Sequence, residues 1–195
     1  MGTIRAQQKA QTRQALLREA RDLFAARGYA DVSLSDVVAA AGVTKGALYH
    51  HFDGKVSLFR AVLEQVQHDV ADAVVAAAGA SEDAWTQLVD GCHAFLAASV
   101  SADVRQVMLV DGPAVLGWQE WRAADEAASG RHLAGALTAL VDAGVIAPQP
   151  IAPLTRLLSG AMNEAALWLA GSGNPQDLTD TTAALDRLLG ALRNG

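Results

Sequence analysis

Apolar residues recur at three- and four-residue intervals along the chain, which is the spacing of amphipathic helices. The pattern predicts nine or ten helices, over residues 6–27, 34–41, 44–52, 55–78, 81–100, 103–110, 114–143, 153–170 and 175–193. We expect Gly112-Pro113 to stop the sixth helix and a kink near Gly117 or Gly130 in the seventh. The predicted fold class is therefore all-α.

The ends of the short early helices are marked by capping residues. Ser33 and Asp36 have the spacing of a capping box, in which a hydroxyl and a carboxylate satisfy the backbone N–H groups at a helix start. Gly42 ends that helix with a positive φ angle, and Thr44 caps the next one. Asp53 is predicted to cap the long helix that begins near residue 54, and Ser81 to start the helix after it.

Two short helices joined by a tight turn at residues 41–43 form a helix-turn-helix pattern over residues 33–52. Its inward side is predicted to rest on the first helix, with the packing residues Leu16, Ala20, Phe24, Val37, Val43, Leu48 and Phe52. The outward face of the second helix carries short residues, so it can enter a DNA major groove. Donors that could hold phosphates on either side are Lys45, Tyr49, His50 and Lys55.

Composition adds a charge asymmetry to this picture. The chain is 51% hydrophobic and 18% charged, with a formal net charge of −6. Residues 1–60 hold nine Lys/Arg against five Asp/Glu, a net +4, whereas residues 61–195 carry a net −10. Only the first third of the chain is therefore expected to meet a polyanion.

Several classes of protein are excluded at this point. The single cysteine, Cys92, allows neither an intramolecular disulfide nor a cysteine-based zinc site, so a reducing compartment is expected. No signal peptide is evident, and the best membrane candidate, residues 157–173, is interrupted by polar residues. Adjacent helical residues such as His50 and His51 diverge by about 100° and do not readily share an ion. We expect a cytoplasmic protein with no metal and no cofactor.

The stretch from Gly28 to Lys55, GYADVSLSDVVAAAGVTKGALYHHFDGK, closely resembles the helix-turn-helix of the tetracycline-repressor (TetR) family. The hallmark of that family is a TKGALYHHF-GK run, and the resemblance covers about residues 10–70. A weaker resemblance links the run DGPAVLGWQEWR, residues 111–122, to some actinobacterial members.

The resemblance implies a three-helix DNA-binding head in residues 1–54. A long fourth helix would join it to an all-helical ligand-binding and dimerisation body in residues 55–195. It implies DNA contacts by Ser33, Thr44, Lys45, Gly46, Tyr49, His50 and Lys55, with Leu34, Leu48 and Phe52 as packing positions. It also implies a homodimer made by the last two helices, whose leucine stripes are too extensive for one chain to cover. Such a two-fold dimer predicts a palindromic operator.

Candidate residues for an apolar ligand pocket come from the body of the chain. They are His93, Met108, Trp118, Trp121, Asn163 and Trp168. Each of these residue types also serves in an ordinary helical core, which stays an alternative for every one of them. Asn163, set among apolar neighbours, needs a polar partner, which a ligand or a dimer interface could supply.

Three functions follow from these observations. The first is a ligand-responsive DNA-binding transcriptional regulator, a homodimeric repressor released from its operator by a small, largely apolar effector. The second is a small-molecule-binding protein or enzyme that keeps a helical head. Cys92-His93 is its sole neighbouring nucleophile–base pair, and the chain has no G-x-S-x-G, H-E-x-x-H or dinucleotide-binding motif. The third is an architectural DNA binder without an effector, which the weak net charge of the head disfavours.

Overall fold

A computed structural model describes the backbone of residues 2–193 and the side chains of residues 5–193. Its α-helices are α1 Gly2–Arg27, α2 Leu34–Ala40, α3 Lys45–His51, α4 Lys55–Ala78, α5 Ala84–Ser99, α6 Ala102–Val104, α7 Gly112–Leu116, α8 Trp118–Asp125, α9 Arg131–Asp142, α10 Ile151–Gly171 and α11 Gln176–Arg193. Two π-helical segments, Arg105–Asp111 and Glu126–Gly130, lie between α6 and α7 and between α8 and α9. The described residues contain no β-strand, and the all-α prediction is confirmed.

The chain divides into two compact units that are not continuous in sequence. The first comprises the residues up to Val66 together with Ala102–Trp121, and the second comprises Gln67–Ser101 together with the residues from Arg122 onward. Helix α4 contributes residues to both units. The division of function at residues 54 and 55 stays a prediction.

The first unit is organised around the inner face of α1. Six of the seven predicted packing residues are at most 4% exposed, namely Leu16, Ala20, Phe24, Val37, Leu48 and Phe52. Val43 and Leu34 are half-buried. The Phe24 and Phe59 rings meet edge to face with their centroids 5.4 Å apart. The helix-turn-helix thus rests on α1 as the apolar pattern predicted.

Residues 102–121 are tied to α1 and to the turn that follows it by polar contacts, and to one another by a buried tryptophan. The Arg21 guanidinium lies 2.7 Å from the Asp103 carboxylate, and the Tyr29 backbone N–H donates to Asp111 Oδ2 at 2.8 Å. Within the segment, Trp121 Nε1 donates to the Met108 carbonyl at 2.7 Å. These contacts explain why a distant stretch of sequence belongs to the first unit.

Most of the predicted helix ends are present, and two are displaced. Ser33 and Asp36 form the capping box, and Gly42 has a φ angle of 63°. The Asp53 prediction was wrong, because the Gly54 carbonyl accepts the first bond of α4 from the Leu58 N–H. Gly54 therefore holds the cap position.

The start of α5 is the second displaced end. Ser81 does not begin this helix, because the cap is Asp83, whose side chain accepts a hydrogen bond from the Thr86 N–H. The Ser81 hydroxyl instead accepts a hydrogen bond from the Asp83 N–H at 3.1 Å.

The glycines near residues 112–130 act differently from one another. The prediction that Gly112-Pro113 stops the sixth helix was wrong, because the π-helical segment Arg105–Asp111 continues directly into α7, which accommodates the proline in its first turn. Gly117 adopts a φ angle of 80° and separates α7 from α8. Near Gly130 the predicted irregularity takes the form of the π-helical segment rather than a sharp break.

The second unit packs α5, α9, α10 and α11 together. Its buried apolar side chains include Leu88, Phe95, Leu96, Leu137, Leu140, Leu158, Met162, Leu185 and Leu189. Three large apolar side chains of α10 and α11 stay exposed, with Leu157 72%, Trp168 53% and Leu188 60% accessible. Within the described residues, no helix is both long and apolar enough to span a membrane.

Candidate nucleic-acid interface and ligand cavity

Helix α3 presents the predicted recognition surface. Its seven residues are anchored by Leu48, which is fully buried, whereas Lys45, Gly46, Tyr49 and His50 are exposed. Tyr49 is 51% exposed. A cation and an aromatic hydroxyl on a helix with an otherwise small outer face can reach phosphate oxygens on either side of a groove.

The hydroxyls of Ser33 and Thr44 already have a structural role. Ser33 Oγ accepts from the Asp36 N–H at 3.1 Å and donates to the Asp36 carboxylate at 2.7 Å. Thr44 Oγ1 accepts from the Ala47 N–H at 3.2 Å. Both residues are exposed helix caps, so either can face a phosphate only while it also holds its helix start.

Lys55 is held against the loop that follows α1. Its Nζ lies 3.4 Å from the Ala30 carbonyl and 4.0 Å from the centroid of the Tyr29 ring. This placement fixes the ammonium at the first turn of α4, close in sequence to the end of α3. Lys55 thus differs from Lys45, whose side chain is exposed.

The two adjacent histidines of α3 differ in environment. The pKa of His51 lies below its ordinary value, first because of burial and then because of repulsion from His50, Lys9 and Arg13. His51 is half-buried, whereas His50 is exposed. Because its pKa is lowered, the His51 ring is neutral at neutral pH. The residues described by the structure contain no group of three or more His, Cys, Asp or Glu side chains placed to hold a metal ion.

A cavity of about 480 Å³ lies within the second unit. The last turns of α4 and parts of α5, α9 and α10 line it, and most of the lining is apolar. Representative lining residues are Val74, Leu88, Phe95, Leu133 and Met162. A cavity of this size and character is typical of sites for small, largely apolar molecules.

Buried polar residues from α8 and α10 meet in the cavity wall. Asp125 Oδ2 accepts from Arg122 Nη1 at 2.9 Å, from Asn163 Nδ2 at 3.0 Å and from the Ser159 hydroxyl at 3.4 Å. Asn163 Nδ2 also donates to the Ser159 carbonyl at 3.0 Å. The pKa of Asp125 is raised, because burial outweighs the opposing hydrogen bonds and the Arg122 charge.

Of the six predicted ligand residues, Asn163 is the one that lines this cavity. Met108 and Trp121 are fully buried in the first unit, where the Trp121 indole N–H donates a hydrogen bond to the Met108 carbonyl. Trp118 and Trp168 are exposed. His93 Nε2 lies 2.6 Å from Asp186 Oδ1, outside the cavity lining. The structure therefore does not bring the six together.

Sequence reasoning missed Asp125, Ser159 and Cys92 as lining residues. Of these three residues, only Asp125 could have been identified from the sequence, because it is an acidic residue at a position of the predicted helix that turns inward. Burial raises the pKa of the Cys92 thiol to about 12, so the thiol stays protonated at neutral pH. A protonated thiol is a poor nucleophile, and the neighbouring His93 is engaged with Asp186.

Comparison with known proteins matches both ends of the chain to one family. Residues 16–62 match the family described as bacterial regulatory proteins, tetR family. Residues 85–192 match the tetracyclin repressor-like C-terminal domain. A TetR-family transcriptional regulator from Pectobacterium atrosepticum is 34% identical, with a TM-score of 0.80 over 95% of this chain and 96% of that one.

Curated relatives share shorter stretches. The HTH-type transcriptional regulator SrpR of Pseudomonas putida is 43% identical over 58 residues, which is 30% of this chain and 27% of SrpR. The transposon Tn10 TetC protein of Escherichia coli is 30% identical over 130 residues, 67% of this chain and 64% of TetC. The chain thus spans between about a quarter and two thirds of these relatives. Together with the two domain matches, these similarities show that the chain belongs to the TetR family of transcriptional regulators.

Proposed function

We propose that this protein is a homodimeric transcriptional repressor that binds a palindromic DNA operator through α3 and leaves it when a small, largely apolar effector enters the cavity. The observation that carries the proposal is the outer face of α3. It offers Lys45 and Tyr49 to solvent while the buried Leu48 fixes the helix on α1.

The DNA side of the proposal assigns two kinds of contact. Lys45, Tyr49, His50 and Lys55 serve as side-chain donors to phosphates. The exposed starts of α2 and α3, at Ser33 and Thr44, add backbone N–H groups next to short side chains. A Cβ built on Gly46 would meet Thr44 Oγ1 at 3.9 Å and no other side chain within 4 Å, so this position leaves room for close approach of the DNA backbone.

The dimer is proposed to form through α10 and α11. Leu157, Trp168 and Leu188 are the exposed large apolar side chains on these helices. Burial of each one removes apolar surface from water and is worth about 1.5–3 kcal/mol for a fully covered side chain. A two-fold pairing of these faces would present two copies of α3 to half-sites one DNA turn apart, or a multiple of a turn apart.

The response to an effector is proposed to act through α4, which belongs to both units. The effector must bind the DNA-competent and the released states with different affinities, because equal binding shifts no equilibrium. The buried, protonated thiol of Cys92 supports this regulatory role for the cavity over the alternative of an enzyme that uses Cys92-His93.

The proposal is tested by a DNA mobility shift with the region upstream of the protein's own gene. We expect wild type to retard that DNA and Lys45→Ala/Tyr49→Ala to bind it at least about tenfold more weakly. The dependence of log K on log[salt] should also become less steep, by about 0.9 per lost phosphate contact.

Arg18→Ala is the matched control, because Arg18 is an exposed cation of the same unit that already pairs with Glu19 at 2.9 Å. This variant should bind nearly as wild type does. Absence of a retarded band for wild type, or equal binding by the double variant, would refute the proposed function.

A further inference from the structure

The buried polar cluster of the cavity wall leaves an acceptor unused. The side-chain hydrogen bonds to Asp125 from Arg122, Ser159 and Asn163 all end on Oδ2. Asn163 uses its Nδ2 hydrogens on Asp125 and Ser159, while its Oδ1 is buried without a hydrogen-bond partner. Asp125 and Asn163 are each 3% exposed. Buried polar atoms of this kind normally have partners, and here the missing partner must be a donor.

The charge of this cluster is already balanced. Arg122 lies 2.9 Å from Asp125 Oδ2, and its side chain is 15% exposed. A cationic ligand would therefore bring an uncompensated charge into an apolar cavity, and an anionic ligand would place its oxygens against the unpaired Asn163 Oδ1 and the neighbouring Asp125 carboxylate. Arg131 and His132 also line the cavity, but Arg131 is exposed to solvent, which weakens its attraction for an anion.

The remaining lining residues determine which kind of ligand skeleton fits the cavity. Apolar side chains such as Val74, Leu88 and Phe95 surround the 480 Å³ of space. The buried Cys92 adds a thiol that behaves as a small hydrophobic group. A hydrocarbon skeleton fills this volume without leaving its own polar atoms unpaired.

We propose that the effector is an uncharged alcohol or phenol with a mainly hydrocarbon skeleton, and that its O–H donates to Asn163 Oδ1, the unpaired acceptor of the cavity wall. This inference rests on the proposed function, because it takes the cavity as the effector site. The hydroxyl supplies the donor that the wall lacks, and it does so without adding charge.

Isothermal titration of the full chain with matched probes tests the proposal. The probes are three hydroxyl compounds with different hydrocarbon skeletons, namely 4-ethylphenol, 2-naphthol and 1-decanol. Each is compared with its methyl ether and with the carboxylate of the same skeleton. In at least one series the alcohol should bind at least about tenfold more tightly than its ether, because the ether leaves Asn163 Oδ1 unpaired. The carboxylate should bind more weakly still.

Two variants locate the effect. Asn163→Leu removes the unpaired acceptor and should reduce the preference for alcohol over ether to less than about twofold. Met162→Leu changes a neighbouring lining residue that offers no strong hydrogen-bond acceptor, and should keep the preference. If Asn163→Leu fails to unfold cooperatively, the wild-type series decides alone.

The proposal is overturned if no alcohol binds, or if in every series the ether or the carboxylate binds as tightly as the alcohol. Operator binding is measured on the same preparation, so the two failures can be told apart. Protein that retards its operator but shows no preference for alcohols refutes the ligand class alone. Protein that prefers alcohols but does not bind DNA refutes the proposed function.

Discussion

Gly112 packs directly against the buried Trp121 ring. A Cβ atom built on Gly112 would be 2.8 Å from Trp121 Cδ1, 3.2 Å from Nε1 and 3.3 Å from the Val107 carbonyl oxygen. Comfortable carbon–carbon separations are about 3.5–4.0 Å, so the ring or the helix must move by roughly an ångström. Trp121 is fully buried and its Nε1 donates to Met108, so the ring has little freedom to do so.

Gly112→Ala is therefore expected to destabilise the protein. Overpacking of a buried site costs about 1–3 kcal/mol, and better helix propensity returns about 1 kcal/mol. The free energy of unfolding should therefore fall by up to about 2 kcal/mol, whereas an unhindered Gly→Ala substitution in a helix would raise it by about 1 kcal/mol. In urea denaturation this appears as a lower midpoint at an unchanged m value.

Gly135→Ala is the matched control. Gly135 lies inside α9 with no neighbouring atom within 4 Å of a built Cβ, so the same substitution should raise the free energy of unfolding by up to about 1 kcal/mol. The reasoning is refuted if Gly112→Ala raises the free energy of unfolding as much as Gly135→Ala does. Trp121 would then not be the rigid core residue that the structure describes.

Three further predictions concern single side chains. Thr44→Ala removes the cap on the Ala47 N–H and should lower the free energy of unfolding by about 1 kcal/mol, whereas Thr44→Ser should retain most of it in the same urea assay. Gln67 is 3% exposed and its Nε2 is buried without a partner, so Gln67→Met should raise thermal stability, and a drop would contradict the assignment. Because the pKa of Asp125 is raised in the folded state, its contribution to stability should fall as the pH rises from about 4 through that raised pKa. Urea denaturation of wild type at several pH values, with Asp125→Asn as reference, should show that fall. A rise in stability over this pH range would contradict a raised pKa of Asp125.

The helix-turn-helix could be predicted from the sequence because its determinants are local. A capping box, a glycine with positive φ and a capping threonine fix the ends of α2 and α3 within one turn of the residues that cause them. The apolar spacing then shows which face rests on α1. Long-range information adds little to these elements.

The cavity could not be predicted in the same way. Asp125 meets Ser159 and Asn163 across 34 and 38 residues of sequence, and apolar periodicity does not reveal such pairings. Tryptophan content also misled, because Trp121 packs in the first unit and Trp168 faces outward. Only the packing of helices decides which of these residues borders a cavity.

The π-helical segments escaped prediction for a related reason. An apolar pattern at three- and four-residue spacing does not distinguish a regular helix from one with a local wider turn. The segment Glu126–Gly130 follows Asp125 directly and places Ser129 and Gly130 in the cavity wall. Its effect on the site is therefore visible only in the folded chain.

The ratio of the protein's affinity for DNA from its own upstream region to its affinity for a scrambled DNA of equal length tests the account most directly. Both affinities are measured by fluorescence anisotropy at one fixed salt concentration. Sequence-specific binders exceed their non-specific affinity by about 10³-fold or more, and we expect a ratio of that order for wild type. A ratio near one, with a steep salt dependence on both DNAs, would contradict the account and indicate binding by phosphate attraction alone.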